Sequence, residues 1–267
     1  MYRTIIFDCD STLTRIEGID ELARLKGMGV EVAELTRRAM EGEVSLQEVY
    51  RLRLDLLTPT RAELQAVAQR YIAECVPEAR ETVRVLQACG REVFIVSAGL
   101  EPCVVEFARW LGVKREQVRA VPPQFDQLAG DWHQFHRRRY GANLAERVID
   151  VSATPLVQQH GKRELIAALP KRGRSMLVGD GMNDWAARES VNLFVGFGGV
   201  VRRASVEAKA EVYLTAPTLA AIVPLALSPR ETQLLQGEGR RVFECGVRAL
   251  REGMTRGIEK IEVLAIA

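Results

Sequence analysis

Four short apolar runs, each stopped by acidic, hydroxyl or glycine residues, constrain this chain more than any other feature. RTIIF (3–7) runs into DCDST, REVFIVSAG (91–99) ends in Ser-Ala-Gly, RSMLVGDGMND (174–184) passes through Gly-Asp-Gly, and VNLFVGFGG (191–199) ends in glycines. AEVYLT (210–215) is a fifth candidate. Their β-branched and aromatic content over four to eight residues reads as buried strand. Helical patterns fall between them at 77–89, 101–111, 162–169, 184–190 and 217–227. Strands alternating with helices predict βαβ units and a parallel sheet covered on both faces, an α/β fold.

Residues 16–74 break the alternation. IDELARLKG, VEVAELTRRAMEG, SLQEVYRLRLDLL and RAELQAVAQRYIAEC carry apolar residues at spacings of three and four, divided by Gly27, Gly29, Gly42 and Pro59. A helical insertion of about 60 residues after the first strand is expected, either a lid over the strand ends or a subdomain that only adds stability. Residues 117–131 suggest a hairpin around Gly130, and 132–146 fit no element well. Arg137, Arg138 and Arg139 read as a solvated basic surface. Past 229, a helix interrupted at Gly237 and Gly239 and a strand-like IEVLAIA remain. That tail can dock on the core or on a second subunit, so a homo-oligomer through it stays open. The organisation expected is a core of residues 1–15 and 76–228, a helical unit of 16–75, and an extension of 229–267.

Composition excludes several classes. With 47% hydrophobic and 27% charged residues in 267, the chain has an ordinary globular balance and can bury its core without staples. A formal charge of +2 is too weak to argue for a nucleic-acid partner. Five cysteines, an odd number with no CxxC pair, argue against a disulfide framework and a structural zinc. The apolar stretch 212–227 is broken by Pro217 and Pro224, so no membrane span is expected. No secretory signal is visible at the start, and a soluble cytoplasmic protein is the default expectation.

In an open parallel sheet, ligands bind at the carboxyl ends of the strands. Those ends deliver Asp8 and Asp10, then Ser97, then Asp180, Asn183 and Asp184. Four carboxylates in one place repel each other unless a cation joins them, and an all-oxygen carboxylate set points to magnesium rather than zinc. Asp8 and Asp10 would share a face of regular strand, although the turn beyond is free to re-aim the second. Two carboxyls in different environments can divide labour, one attacking phosphorus and one donating a proton and later activating water. A hydroxyl at Ser97 with free N–H groups behind it is a phosphate cradle, and Lys162 can add a point charge. Each feature alone has a bland reading: an ordinary turn at Ser97 to Gly99, a tight turn at Gly-Asp-Gly, a surface lysine. Their joint order at strand and helix ends favours phosphoryl transfer.

The set resembles the haloacid dehalogenase superfamily of phosphatases. DCDST at 8–12, IVSAG at 95–99, GKRELI around Lys162 and GDGMND at 179–184 match its four motifs in order, across roughly residues 3–226. The resemblance implies a Rossmann-like parallel sheet core with an inserted helical cap domain. It also implies roles: Asp8 as the nucleophile that becomes an aspartyl-phosphate, and Asp10 as general acid and base. Asp8, Asp180 and the Asp10 carbonyl would bind Mg2+, with Asp184 orienting metal-bound water. Ser97, the Ala98 N–H and Lys162 would hold the phosphoryl oxygens, and Asn183 would face the substrate.

The closer resemblance is to the phosphoserine phosphatase subfamily, whose cap follows the first motif. There a glutamate meets the substrate amine and an arginine its carboxylate; the matching positions here are Glu17 and, after Ala39-Met40-Glu41-Gly42, Arg53. A zwitterion needs one charge of each sign, and arginine takes a carboxylate bidentately. The bland alternative is two ordinary helix-surface charges. The chain departs from the pattern at Cys9, at Leu46 where a cap phenylalanine is common, at Ala98-Gly99 in place of Gly-Gly, in a longer segment 132–146, and in the tail past 229.

The expected function is magnesium-dependent hydrolysis of a small phosphorylated metabolite, phosphoserine first. Within the same chemistry stand a phosphotransferase to an alcohol such as homoserine and a methionine-salvage enol phosphatase. A non-catalytic scaffold is the reading from another class. A dinucleotide oxidoreductase is disfavoured, because GFGG at 196–199 lacks GxGxxG spacing.

Overall fold

The computed structural model describes residues 1–40, 43, 45–126, 145–151, 153–158 and 160–257. β1 (Thr4–Phe7) is buried at all four positions, as a central strand covered on both faces must be. After it come four helices: α1 (Gly18–Lys26), α2 (Gly29–Met40), α3 (Leu46–Leu57) and α4 (Arg61–Ala73). Their ends follow from local chemistry. Ser45 caps α3 through Glu48 N, Thr60 and Glu63 form a capping box on α4, and Gly27 ends α1 in the left-handed region at φ 67°. The two chain crossings into and out of this helical block pair with each other: Thr14 bridges Cys75, Arg15 N donates to Glu74 O, and Val76 N donates to Leu13 O.

The chain then alternates. α5 (Ala79–Ala88) leads to β2 (Glu92–Leu100), α6 (Glu101–Leu111) to β3 (Val118–Val121), α7 (Gly161–Ala168) to β6 (Ser175–Gly179), α8 (Met182–Ala186) to β7 (Leu193–Phe197), and α9 (Ala204–Glu207) to β8 (Val212–Leu214). Between β3 and α7, β4 (Pro123–Phe125) pairs antiparallel with β5 (Val148–Val151) as a separate ribbon. The sheet order is β3-β2-β1-β6-β7-β8, all parallel, and an antiparallel edge strand, β9 (Met254–Arg256), lies against β8. The order reverses between β1 and β6, which lie side by side with Phe7 opposite Val178. Their carboxyl ends therefore open at the topological switch point.

All five expected strands form, and the structure corrects several other expectations. Residues 118–121 are not a hairpin arm around Gly130; they add to the main sheet beside β2, and the ribbon partner of 123–125 is 148–151. The expected helix 217–227 is a 3-10 turn at Leu219–Ala221 followed by a short helix, α10 (Ile222–Ala226). Residues 127–144, including Gly130 and Arg137 to Arg139, and the tail IEVLAIA lie outside the described residues, as do Glu41 and Gly42.

The described part of the tail, residues 229–257, docks on its own core. α11 (Pro229–Leu234) starts with a Ser228–Glu231 capping box, and α12 (Gly237–Gly253) runs on as one helix from Gly237, whose φ is +53°, through Gly239. Val242, Phe243, Val247 and Leu250 on α12 are buried, several of them in a cluster with Val85, Ala220 and Val223. Each such side chain contributes about 1.5–3 kcal/mol by leaving water. Arg91, whose side chain is fully buried, clamps this arrangement by donating two hydrogen bonds to Glu231 at 2.7 Å each. Among the described residues, no helix is long and apolar enough to cross a membrane.

Candidate active site

β1 and β6 end side by side, so Asp8 and Asp180 follow directly; Asp8 N still donates to Val178 O at 2.9 Å, which continues the ladder one residue past the strand. Asp184 joins them by folding back from the first turn of α8. Its Oδ2 accepts from Gly181 N at 3.0 Å, closing the turn. A Cβ on Gly179 would lie 2.3 Å from the Asp184 side chain, so only glycine admits that return. One oxygen from each of Asp8, Asp180 and Asp184 lies within 4.8 Å of the others, and all three residues are buried.

Three buried acids this close need positive charge. Lys162, on the first turn of α7, is itself buried and supplies it, 2.7 Å from Asp8 and 2.6 Å from Asp184. It is not the surface lysine of the bland reading. Burial alone would lower its pKa, but the Asp184 and Asp8 charges outweigh that and raise it, so the ammonium is firmly held. Arg203 Nε reaches Asp180 at 2.8 Å. Burial, with the Asp184 charge, still pushes Asp180 up to about 6. Burial, then Asp184, also raises Asp8 well above the usual carboxylate range, against the pull of Lys162. Asp8 and Asp180, oxygen donors whose ionised forms are disfavoured in the absence of further positive charge, fit a hard divalent cation, which would reverse both shifts.

Asp10 is not part of this cluster. Ser11, at φ 53°, turns the chain sharply after β1, and the Asp10 carboxyl faces the helical block. Its Oδ1 accepts from Tyr71 Oη at 2.5 Å and from Gly18 N at 3.2 Å. Burial, then the Glu17 charge, pushes it up to about 8, which favours its protonated form. The two carboxyls of DCDST thus meet different surroundings, Asp8 with Lys162 and Asp10 with Tyr71 and Gly18 N.

Ser97 is buried at the end of β2, and its Oγ accepts from Gly99 N at 3.0 Å. Tyr50 on α3 donates to Ala98 O at 3.2 Å, tying the helical block to this loop. A cavity of about 150 Å³ opens beside it, lined by Asp10, Glu17, Tyr50, Arg53, Tyr71, Ala98 and Asn183, among others. That is well below the roughly 300–1,000 Å³ of clefts for drug-sized ligands, and suits a small metabolite. Glu17 accepts from Ser11 Oγ at 2.6 Å and lies 3.9 Å from Arg203. Arg53 bonds Thr36, while its buried Nε has no hydrogen-bond partner among the described residues. A larger cavity, about 1030 Å³, lies between α3 and the β4–β5 ribbon, but none of the clustered acids lines it.

All ten sequence candidates therefore lie in the acid cluster, on the Ser97 loop or around the adjoining cavity. Tyr71, Tyr50 and Arg203 were missed. Tyr71 sits on an apolar helix stripe, and the rule that a buried tyrosine seeks a partner for its hydroxyl was the available signal. Arg203 carried none, because a surface Arg-Arg pair is commonplace.

A sequence model of haloacid dehalogenase-like hydrolases matches residues 2–192. Phosphoserine phosphatase of Drosophila melanogaster is 32% identical over 215 residues, covering 79% of this chain and 74% of that protein. The Homo sapiens phosphoserine phosphatase is 32% identical over 214 residues, 79% of this chain and 88% of its own. A solved structure described as a phospho-aspartyl intermediate analogue of phosphoserine phosphatase superposes with TM-score 0.66 over 85% of this chain and 99% of that one, at 24% identity, which bears on the fold. With the buried acids at the switch point and the helical block above them, the chain belongs to the haloacid dehalogenase-like hydrolases and is a phosphoserine phosphatase-like phosphoric monoester hydrolase.

Proposed function

We propose that this enzyme hydrolyses phosphoserine with magnesium through an aspartyl-phosphate at Asp8. The observation that carries the substrate assignment is the small cavity where Glu17 and Arg53 stand beside Asp10 and the Ser97 loop. The lining offers an anion for an amine and a guanidinium for a carboxylate. The names of the relatives at 32% identity support the same substrate.

In this reading Asp8 attacks phosphorus while Ser97, the Ala98 N–H and Lys162 hold the phosphoryl oxygens, and Asn183 faces the substrate. Asp10 passes its proton to the leaving seryl oxygen as the P–O bond breaks. As a carboxylate it then takes a proton from water, whose oxygen displaces Asp8 and releases phosphate. Asp8, Asp180 and the Asp10 carbonyl would hold magnesium, Asp184 would orient water beside it, and the bound ion would supply charge neutralisation at the phosphoryl group. Residues 16–75 act as the cap over a core of 1–15 and 76–228, with 229–267 as a C-terminal extension. The five free thiols suit a reducing, cytoplasmic setting.

Steady-state hydrolysis of L-phosphoserine beside a panel of phosphomonoesters tests this. Preference for L-phosphoserine is expected. Turnover of other esters without it would remove the substrate assignment and leave the phosphatase.

A further inference from the structure

Tyr71 lies on α4, completely buried, 61 residues along the chain from Asp10. Its hydroxyl donates to Asp10 Oδ1 at 2.5 Å, and Gly18 N donates to the same oxygen at 3.2 Å. Two donors occupy the two lone pairs of Oδ1, so the proton that Asp10 would deliver as general acid has its place on Oδ2. Oδ2 faces the Ser97 loop: a Cβ built on Gly99 would lie 3.2 Å from Asp10 Oδ2 and 3.2 Å from Ser97 Oγ. The proton-bearing oxygen therefore looks toward the loop assigned to the phosphoryl group. The tyrosine hydroxyl keeps its place because residue 18 is glycine; a Cβ there would stand 2.2 Å from it.

We propose that Tyr71 is a positioning residue for the reaction: it pins one oxygen of Asp10 so that the other presents its proton to the departing alkoxide. The inference rests on the reading of Asp10 as proton donor and adds the group that aims it. In the first half-reaction an Asp8 oxygen bonds phosphorus, the bond from phosphorus to the substrate oxygen breaks, and the Asp10 Oδ2 proton moves to that oxygen. Asp10 is left as a carboxylate, still accepting from Tyr71 and Gly18. Loss of the phenol leaves Gly18 N as the sole hydrogen-bond donor on Oδ1, and the carboxyl can then rotate away from the substrate. Because α4 belongs to the inserted helices, the insertion would equip the core with an aimed acid as well as with substrate contacts.

Leaving-group dependence separates aiming from mere packing. The ratio kcat/KM covers only the steps through departure of the leaving group, so it reports the acid role without the later water step. For Tyr71→Phe, kcat/KM on L-phosphoserine should fall about tenfold to a hundredfold, while p-nitrophenyl phosphate, whose leaving group departs without a proton, should change less than about threefold. Gly18→Ala, which drives a methyl into the hydroxyl position, should show the same selective loss and serves if Tyr71→Phe does not fold. Equal loss on the two substrates, or no loss on L-phosphoserine, would overturn the role of Tyr71 while leaving the phosphatase reading intact. A wild-type enzyme inactive on both substrates would overturn both.

Discussion

Lys162 Nζ lies 2.7 Å from Asp8 Oδ1, so a buried ammonium touches the carboxylate proposed to attack phosphorus. The contact serves two ends at once. It opposes the burial that would otherwise favour a protonated Asp8, and it places a cation where phosphoryl oxygens would approach. The same lysine holds Asp184 at 2.6 Å, which makes it the centre of the acid cluster.

Asp8→Asn is expected to abolish phosphatase activity, because an amide cannot form the acyl-phosphate. Asp10→Asn should lower kcat/KM on L-phosphoserine by about two to four decades. Steady-state assays on folded variants check both, and a fully active Asp8→Asn enzyme would remove the proposed nucleophile.

Asp10, raised to about 8 by burial and the Glu17 charge, sets a pH dependence. An acid with a raised pKa keeps its proton below that value and loses it above. The kcat/KM for L-phosphoserine should therefore fall as pH rises past about 8, with a smaller fall for p-nitrophenyl phosphate. A pH–rate profile on the two substrates measures it; parallel profiles would point to a different group.

Arg53 lines the substrate cavity. Arg53→Ala should raise KM for L-phosphoserine about tenfold or more, as loss of a charge-assisted bond of about 1.5–3 kcal/mol implies. KM for phosphoethanolamine, which lacks the carboxylate, should barely move. Equal shifts on the two substrates would contradict carboxylate recognition.

The cluster of Asp8, Asp180 and Asp184 should make stability depend on metal. Magnesium added to chelator-treated protein should raise Tm in a concentration-dependent way, since a ligand that binds only the folded state stabilises it by mass action. Asp180→Asn should blunt that rise. Differential scanning fluorimetry with and without chelator reads the effect independently of turnover.

Arg91 and Glu231 supply a stability test remote from the site. Glu231→Gln leaves the buried Arg91 guanidinium without its anion and should cost about 3 kcal/mol in denaturant unfolding. The pH sign follows from the lowered pKa: hydrogen bonds from Arg91 hold Glu231 at about 2, against an ordinary 4.5. Its contribution is complete above about 4.5 and disappears as pH falls toward 2. Wild type and Glu231→Gln should thus converge in stability in strong acid.

What the sequence determined by itself is the part governed by local patterning and by residue type at strand ends. IIF, VFIV, MLV and LFV are unbroken apolar runs between turn residues, which suits interior strands, and a parallel sheet then collects the polar residues that follow them in one place. Asp8, Ser97 and Asp180 were legible for that reason. The tertiary structure alone decided which acids face each other. Tyr71 and Gly18 N in the helical block hold Asp10 while Lys162 holds Asp8, although two-residue spacing puts both on one face of an ideal strand. Tyr71, Tyr50 and Arg203 reach the site from elements whose own patterns mark only burial or exposure. Likewise, residues 118–121 found the main sheet and not a hairpin. Local sequence specifies period and turn chemistry over a few residues, whereas hydrogen bonds spanning 20 to 60 residues depend on how whole elements pack.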